Sequence, residues 1–438
     1  MIETVLLIIF FTLVFIKILG DIYLFQIKEY RLDRIVALLH DKRFVQTFIT
    51  FKKMPAKTLR NTLIVFFSTG LLVLHVTLIK GTIFLILLNI VFYFFISFAL
   101  TYMGVFISGI FAGRKRQSII SKAHTLLTHS KVVIIGITGS YGKTTTKEYL
   151  FHILSQKYKV AKTDTNMNTD VGIALSILKN LKSDTQYFIA EMGAYRIGEI
   201  KKICNMVKPT YGVITALGNQ HLDLFGSREN LFEAKKELLI SLPKNGKAFV
   251  NKATVSEKQL KEGINAPVIF YNNSDQLPLN IAPCILLAQE LGMSKDEISK
   301  GINVIKQTKS KTDPIQGLKQ STIINNSYST NVEGFIHSIE LLNKRKERKK
   351  IIISRGIIEL GKEKTISYER ILHVLVKSEV DLYTTDADFK RSSILNVHYF
   401  KNEQQLSSSI MNILDQETVV LFEGRYDNSF INQIINNP

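Results

Sequence analysis

The sequence predicts an α/β protein preceded by N-terminal transmembrane helices, and three observations carry that expectation. Apolar residues crowd into the first 112 positions. From residue 131 onward, short apolar runs alternate with helix-spaced patterns. Between the first of those runs (132–137) and a helix-like segment (147–154) lies the glycine-rich stretch Thr138-Gly139-Ser140-Tyr141-Gly142-Lys143-Thr144-Thr145-Thr146.

The apolar leader is read first. A run at about 5–25 is interrupted only by Lys17 and Asp21, which are four residues apart and so share one helix face. Two further runs follow, at about 62–79 and about 82–104, and the last continues apolar to about residue 112. The start Met-Ile-Glu has no basic n-region and no small-residue cleavage site follows, so the leader does not read as a signal peptide. Nine basic residues against three acidic ones in 26–60, and Arg114-Lys115-Arg116 after the third run, place both flanks on the cytoplasmic side. Three crossings are therefore expected, with an outside N-terminus, a tight external turn at Lys80-Gly81 and a cytosolic C-terminal part. The segment 32–40 has apolar residues at helical spacing among charges. It reads equally as a helix on the inner leaflet or as one packed on the soluble part.

Composition agrees with this division. The 438 residues carry 56 Lys+Arg against 37 Asp+Glu, a formal charge of +19, and 46% are hydrophobic. No nucleic-acid-binding signature accompanies the basicity, so an anionic membrane surface is the better-fitting partner. Cys204 and Cys284 are the only cysteines, which supplies neither a disulfide framework nor a metal set.

The soluble part reads as two α/β units, 131–307 and 308–438, after a membrane region at 1–130. In the first, strands are expected at 187–190 and 211–215, with helices at 171–181 and 227–242. In the second, strands are expected at 322–325, 350–353 and 419–422, with helices at 331–342 and 365–376. The polar stretch 307–317 reads as a linker, and the basic run 344–350 as a solvated helix end.

A strand, a glycine-rich turn and a helix start form a phosphate cradle. Backbone N–H groups and the helix N-terminus face the anion, Lys143 reaches the β- and γ-phosphates, and the Thr144 hydroxyl binds Mg²⁺. The usual G-x-x-x-x-G-K spacing would put glycine at Ile137, whereas here it stands at Gly139. Three more motifs follow in order: Thr165-Asn166-Met167-Asn168-Thr169, Glu191-Met192-Gly193, and Asn219-Gln220-His221-Leu222-Asp223 with Ala234-Lys235-Lys236-Glu237 after it. In an open parallel sheet, ligands gather at the carboxyl ends of strands, so these residues can share one crevice. Glu191 is placed to complete an Mg²⁺ shell, His221 to serve a second metal, and Lys235 to add positive or modified charge.

T-G-S-Y-G-K-T-T-T, E-M-G-A-Y-R-I-G-E-I and H-L-D-L-F-G-S-x-E-N-L-x-x-A-K-x-E resemble the Mur ligase family, and the G-E-I and F-G-S elements are similar to its D-alanyl-D-alanine-adding branch. More loosely, 323–331 resembles that branch's I-I-D-D-S-Y-N-A-N and 357–361 its M-x-E-L-G. The likeness covers about 131–438. It implies a P-loop ATPase domain, a Rossmann-like C-terminal domain that closes over it, and ATP- and Mg²⁺-dependent amide formation through an acyl phosphate, with an amino-acid or peptide amine as acceptor. It also implies Lys143, His221 and Lys235 as catalytic residues, with Lys235 at a position carbamylated in many members. The implied nucleotide contacts are Gly139, Ser140, Tyr141, Gly142, Lys143, Thr144, Thr145, Asn251 and Asn326, and the implied metal ligands are Thr144, Glu191 and His221.

The chain departs from the family in several places. The membrane segment stands where the UDP-sugar-binding domain would be, which favours a substrate presented at the bilayer, such as a lipid-linked glycan or peptide. The family's strand-end asparagine is Ala216, its second D-D-S-Y aspartate is Asn326, its junction G-R is Gly317-Leu318, and its K-G-S is Glu423-Gly424-Arg425. Lys319, Arg355 and Arg425 are candidates for the missing charge. The expectation is a membrane-anchored ligase of cell-envelope biosynthesis. The alternatives are a catalytically altered ATP-binding scaffold at the membrane and an unrelated transport ATPase.

Overall fold

In a computed structural model, the described residues are 2–27, 30, 35, 54–78, 90–218, 225–260, 263–272, 280–307, 313–327, 331–357, 360, 363–389, 395–424, 426 and 428–435. The expected turn at Lys80-Gly81, nearly all of the expected amphipathic helix at 32–40, His221 and Arg425 lie outside them. The chain divides into two compact units, residues 1–122 and 123–438.

The first unit contains helices α1 (Ile2–Ile27), α2 (Leu59–Leu78) and most of α3 (Ile90–Thr128). Two segments, Ile8–Ile27 and Ile96–Thr128, are long and apolar enough to cross a membrane by length and composition, and Leu59–Leu74 is a shorter apolar helix. Where a third run was expected to end, α3 continues through Arg114-Lys115-Arg116. The core of this unit is apolar, with Phe10, Ile18, Ile22, Phe25 and Ile64 buried, yet large apolar side chains also face outward and several polar ones are buried. Phe66, Phe106 and Ile8 are 71%, 63% and 60% exposed, while Asp21, Asn61, Ser68, Ser97, Thr101 and Ser108 are buried. Gly104 lets α3 approach α2, because a Cβ there would stand 3.2 Å from both Ile64 Cγ2 and Ser68 Oγ.

The second unit contains two six-stranded sheets. The first has order β2-β3-β1-β4-β5-β6 and every pair is parallel. Its strands are β1 (Val133–Thr138), β2 (Val160–Lys162), β3 (Tyr187–Glu191), β4 (Tyr211–Ile214), β5 (Lys247–Asn251) and β6 (Val268–Tyr271). Between and after them run α4 (Lys143–Leu154), α5 (Asp170–Asn180), α6 (Glu199–Val207), α7 (Arg228–Ile240), α8 (Ala282–Glu290) and α9 (Lys295–Gln307). Apolar strands such as Val-Ile-Ile-Gly-Ile are required because helices cover both faces of a parallel sheet. On one face Ile135, Ile137, Ile189 and Phe249 pack against Leu150, Ile153 and Leu287. Thr169 caps α5 by accepting from Gly172 N, and Ser227 caps α7 by accepting from Asn230 N.

The second sheet has order β11-β10-β9-β12-β8-β7. It comprises β7 (Ile315–Gln316), β8 (Thr322–Asn326), β9 (Lys349–Ser354), β10 (Val380–Thr384), β11 (Val397–Tyr399) and β12 (Thr418–Glu423), with helices α10 (Val332–Asn343), α11 (Lys364–Val376), α12 (Glu403–Ile413) and α13 (Asn428–Ile435). All pairs are parallel except β7 with β8. Part of the expected linker is therefore an antiparallel edge strand, since Ile315 and Gln316 pair with Ile323 and Thr322.

Candidate functional site

The turn between β1 and α4 folds as its glycines require. Gly139 (φ 147°) and Gly142 (φ 83°) adopt left-handed backbone, and a Cβ on Gly139 would come within 2.1 Å of Thr215 Oγ1. Ser140 N donates to Ala216 O at 2.7 Å and its hydroxyl to Gly218 O at 3.2 Å, so this residue anchors the turn to the end of β4. Thr215 adds a hydroxyl bond to Tyr141 O. Ile137, where the common spacing would place glycine, is a wholly buried strand residue; the turn starts later because β1 runs on to Thr138.

Gly142 is the N-cap of α4, so Lys143 and Thr144 open that helix. Lys143 Nζ donates to Gly139 O (2.8 Å) and Ser140 O (3.0 Å), and burial lowers its pKa against the opposing pull of Glu191. The Thr144 hydroxyl lies 3.0 Å from both carboxylate oxygens of Glu191, the last residue of β3. Asn168 Nδ2 reaches Glu191 Oε1 at 3.5 Å. Thr145 is exposed at the helix start.

Lys147 is a site residue that the sequence reading missed. Its ammonium is buried 3.0 Å from Glu191 Oε2. The available signal was its position four residues after Lys143 and three after Thr144, which puts all three on neighbouring positions of one helix face.

Lys235, on α7, is buried and donates to Ala194 O at 3.4 Å. Desolvation, then repulsion from Lys143, brings its pKa down to about 7 against the attraction of Glu199 and Glu237. Glu237 itself accepts from Gly198 N and Lys201 N and so caps α6.

Two other sequence candidates have local partners. The Asn251 carbonyl of the side chain accepts from Ala253 N at 3.0 Å, holding the turn after β5. Asn326 Nδ2 donates to Glu423 Oε2 at 2.8 Å. Of the residues weighed for the missing charge, Lys319 donates to Met411 O, and Arg355 pairs with Glu403 and stacks on Tyr426. Glu333, in the first turn of α10, reaches the phosphate-type loop instead: a Cβ on Gly218 would meet Glu333 Oε2 at 2.8 Å and Tyr141 Cε1 at 2.9 Å. Burial and then Glu333 push the Tyr141 phenol up to about 12, opposed by Arg370.

Hydroxyl and carboxylate oxygens at Thr144 and Glu191 fit a small hard cation. No cluster of three or more His, Cys, Asp or Glu exists among the described residues. Mg²⁺, which keeps waters and takes phosphate oxygens as ligands, suits so sparse a protein donor set better than Ca²⁺ does.

A glycine-rich turn on a helix start at the carboxyl edge of a parallel sheet, with an acidic residue on the adjacent strand, defines a P-loop-type nucleotide-phosphate site. Residues 137–302 match the Mur ligase middle domain. The chain is 30% identical over 267 residues to the UDP-N-acetylmuramoyl-tripeptide–D-alanyl-D-alanine ligase of Synechocystis, covering 55% of this chain and 58% of that protein. Against the ligase of the same name from Bacillus subtilis it is 24% identical, covering 66% and 72%. The chain thus spans little more than half of the first relative's length. Among solved structures it resembles MurF from Acinetobacter baumannii (TM-score 0.66, 20% identity, 74% of this chain and 81% of that one). It also resembles MurF ligase from Thermotoga maritima in complex with ADP (TM-score 0.61, 22% identity, 71% and 80%).

Proposed function

We propose that the protein is a membrane-anchored, ATP- and Mg²⁺-dependent amide ligase of cell-envelope biosynthesis. A substrate carboxylate takes the γ-phosphoryl group of ATP and ADP leaves. An amino-acid or peptide amine then attacks the acyl carbon, phosphate departs, and the amine's proton is lost as the amide forms. The observation that carries this reading is the Thr144–Glu191 pair beside Lys143 at the mouth of β1 and β3. Lys143 and the start of α4 would hold the phosphates, and Mg²⁺ at Thr144 and Glu191 would neutralise the charge that gathers there. The adding step of the named relatives, which joins D-alanyl-D-alanine to a UDP-linked tripeptide, is the nearest model. The apolar first unit favours a lipid-linked donor.

Membrane anchoring is supported by the exposed Phe66, Phe106 and Ile8 outside an interior that buries Asp21, Asn61, Ser68 and Ser97 beside apolar side chains, since hydrocarbon tolerates apolar groups outside and polar ones only inside. The basic flanks favour a cytoplasmic catalytic part. Full-length protein given ATP should release phosphate only when both a carboxylate donor and an amine acceptor are present. Hydrolysis indifferent to every donor and acceptor would refute the ligase reading. Carbonate-resistant membrane association, with the C-terminal part cleaved by protease only in inverted vesicles, tests the placement.

A second reading has a specific observation behind it. Asn326 and Glu423 are bound to each other, and Lys319 is bound to Met411 O, so charges the family would supply are altered or engaged. In that reading the protein binds ATP as a scaffold without turnover.

A further inference from the structure

Lys147 is the most completely buried ammonium at the site, with no side-chain exposure, and its partner Glu191 is 4% exposed. Three neighbours converge on that carboxylate: Thr144 on both oxygens, Lys147 on Oε2 at 3.0 Å and Asn168 on Oε1 at 3.5 Å. Thr163 Oγ1 accepts from Glu191 N, which fixes the backbone beneath it. A surface carboxylate could rely on water as its counter-charge; Glu191 cannot, because a buried charge without a partner is costly.

We propose that Lys147 is a positioning residue for metal binding. It fixes Oε2 of Glu191 and supplies the counter-charge of the metal-free carboxylate, and so it sets how tightly a divalent cation is held beside Thr144. The inference rests on the nucleotide–Mg²⁺ reading above and adds a residue to it. Its consequence is a trade. With Lys147 present the site is stable before metal arrives, and the cation gains less from Glu191 than it would from an uncompensated carboxylate. Without Lys147 the metal-free protein suffers and the cation gains.

The test uses the full chain in detergent, as wild type, Lys147→Met, Lys147→Arg and Lys147→Met/Glu191→Gln. Thermal unfolding and ADP binding are followed across a Mg²⁺ titration. Lys147→Met should lower the metal-free melting temperature by on the order of 10 °C, since one partner of a buried pair is gone. With ADP present, Mg²⁺ should raise it by more than in wild type, at a lower half-saturating Mg²⁺ concentration. Lys147→Arg should restore the wild-type metal response. The double variant should recover metal-free stability and lose the metal response, which keeps the test readable if Lys147→Met folds poorly. Equal Mg²⁺ responses in wild type and Lys147→Met would overturn the inference alone. A wild type that responds to neither Mg²⁺ nor ADP would overturn the nucleotide reading itself.

Discussion

Asn326 and Glu423 face each other in register on the adjacent strands β8 and β12, and the Asn326 amide donates to Glu423 Oε2 at 2.8 Å. Ser338 on α10 donates to the same oxygen at 2.7 Å, and Glu423 is wholly buried. These are the two positions where the motifs that this part of the sequence loosely resembles have an aspartate and a lysine. Both have changed, and the altered residues are each other's partners.

Restoring one of the pair should therefore hurt. Asn326→Asp alone sets two carboxylates against each other in a buried site and is expected to cost about 3 kcal/mol or more. Adding Glu423→Lys should recover most of that loss in denaturant unfolding. If the two changes merely add, the positions are not coupled.

Lys143 makes two bonds to loop carbonyls here, and nucleotide phosphates are the stronger partners for its ammonium. A hydrogen bond to a charged group contributes about 1.5–3 kcal/mol, so Lys143→Ala should weaken ADP binding by about 10- to 100-fold. Lys344→Ala, in the basic run after α10, should leave it unchanged. Calorimetry with both variants checks the pair, and equal affinities would remove the loop from the site.

Lys235 gives a pH signature whose sign is fixed. Its folded pKa, about 7, lies below the unfolded value, so between those two values the unfolded chain binds more protons and the stability of the fold rises with pH. Lys235→Met removes the desolvation penalty. The melting temperature of the variant relative to wild type should be highest below pH 7 and fall as pH rises from 7 toward 10. A neutral amine is also the form that reacts with carbon dioxide, so ¹³C-bicarbonate should give a carbamate signal that strengthens from pH 6 to 8 and is absent in Lys235→Met. A pH-independent stability difference would mean Lys235 is solvated.

Much of this architecture was legible in the chain, for identifiable reasons. Strand β12 was expected at 419–422 and runs Thr418–Glu423, because a two-sided sheet demands an unbroken apolar run. The start of α4 at Lys143 was harder to see, since helix-favouring spacing begins only after the three threonines. Strand β7 was hidden because Ile315-Gln316 is exposed and polar in context, so its pairing comes from Ile323 and Thr322 rather than from its own pattern. Thr144 and Glu191 were expected together from motif order alone. Lys147 and Glu333 were not, as buried ion pairs and contacts between distant segments leave no local sequence mark. The placement of Asn326 by resemblance anticipated a nucleotide contact; its bond to Glu423 depended on a residue 97 positions away.

Glu333 offers the contact between the C-terminal sheet and the loop that can be tested directly. Its Oε1 meets Arg370 at 3.4 Å, while its other oxygen lies over Gly218 and Tyr141. Glu333→Ala should free Tyr141 from a neighbouring negative charge, so the phenol should titrate lower than in wild type by ultraviolet difference spectroscopy. An unchanged titration would show that α10 does not sit over the loop in solution.

The last prediction concerns the first unit, where Lys17 and Asp21 pair one turn apart on α1 and Ser97 of α3 donates to Asp21 Oδ2 at 3.2 Å. Asp21 is 2% exposed, whereas apolar side chains such as Phe66, Phe106 and Ile8 face outward. If hydrocarbon surrounds these helices, an unpaired charge there has no water to retreat to. Lys17→Met alone leaves Asp21 buried with only Ser97 and should cost about 3–5 kcal/mol, while Lys17→Met/Asp21→Leu removes both charges and should cost far less. Thermal unfolding in detergent, with each variant compared against wild type, measures the difference. If the single and double variants lose the same stability, the pair is dispensable, and α1 and α3 are held together by apolar packing such as the Phe25–Phe98 stack instead.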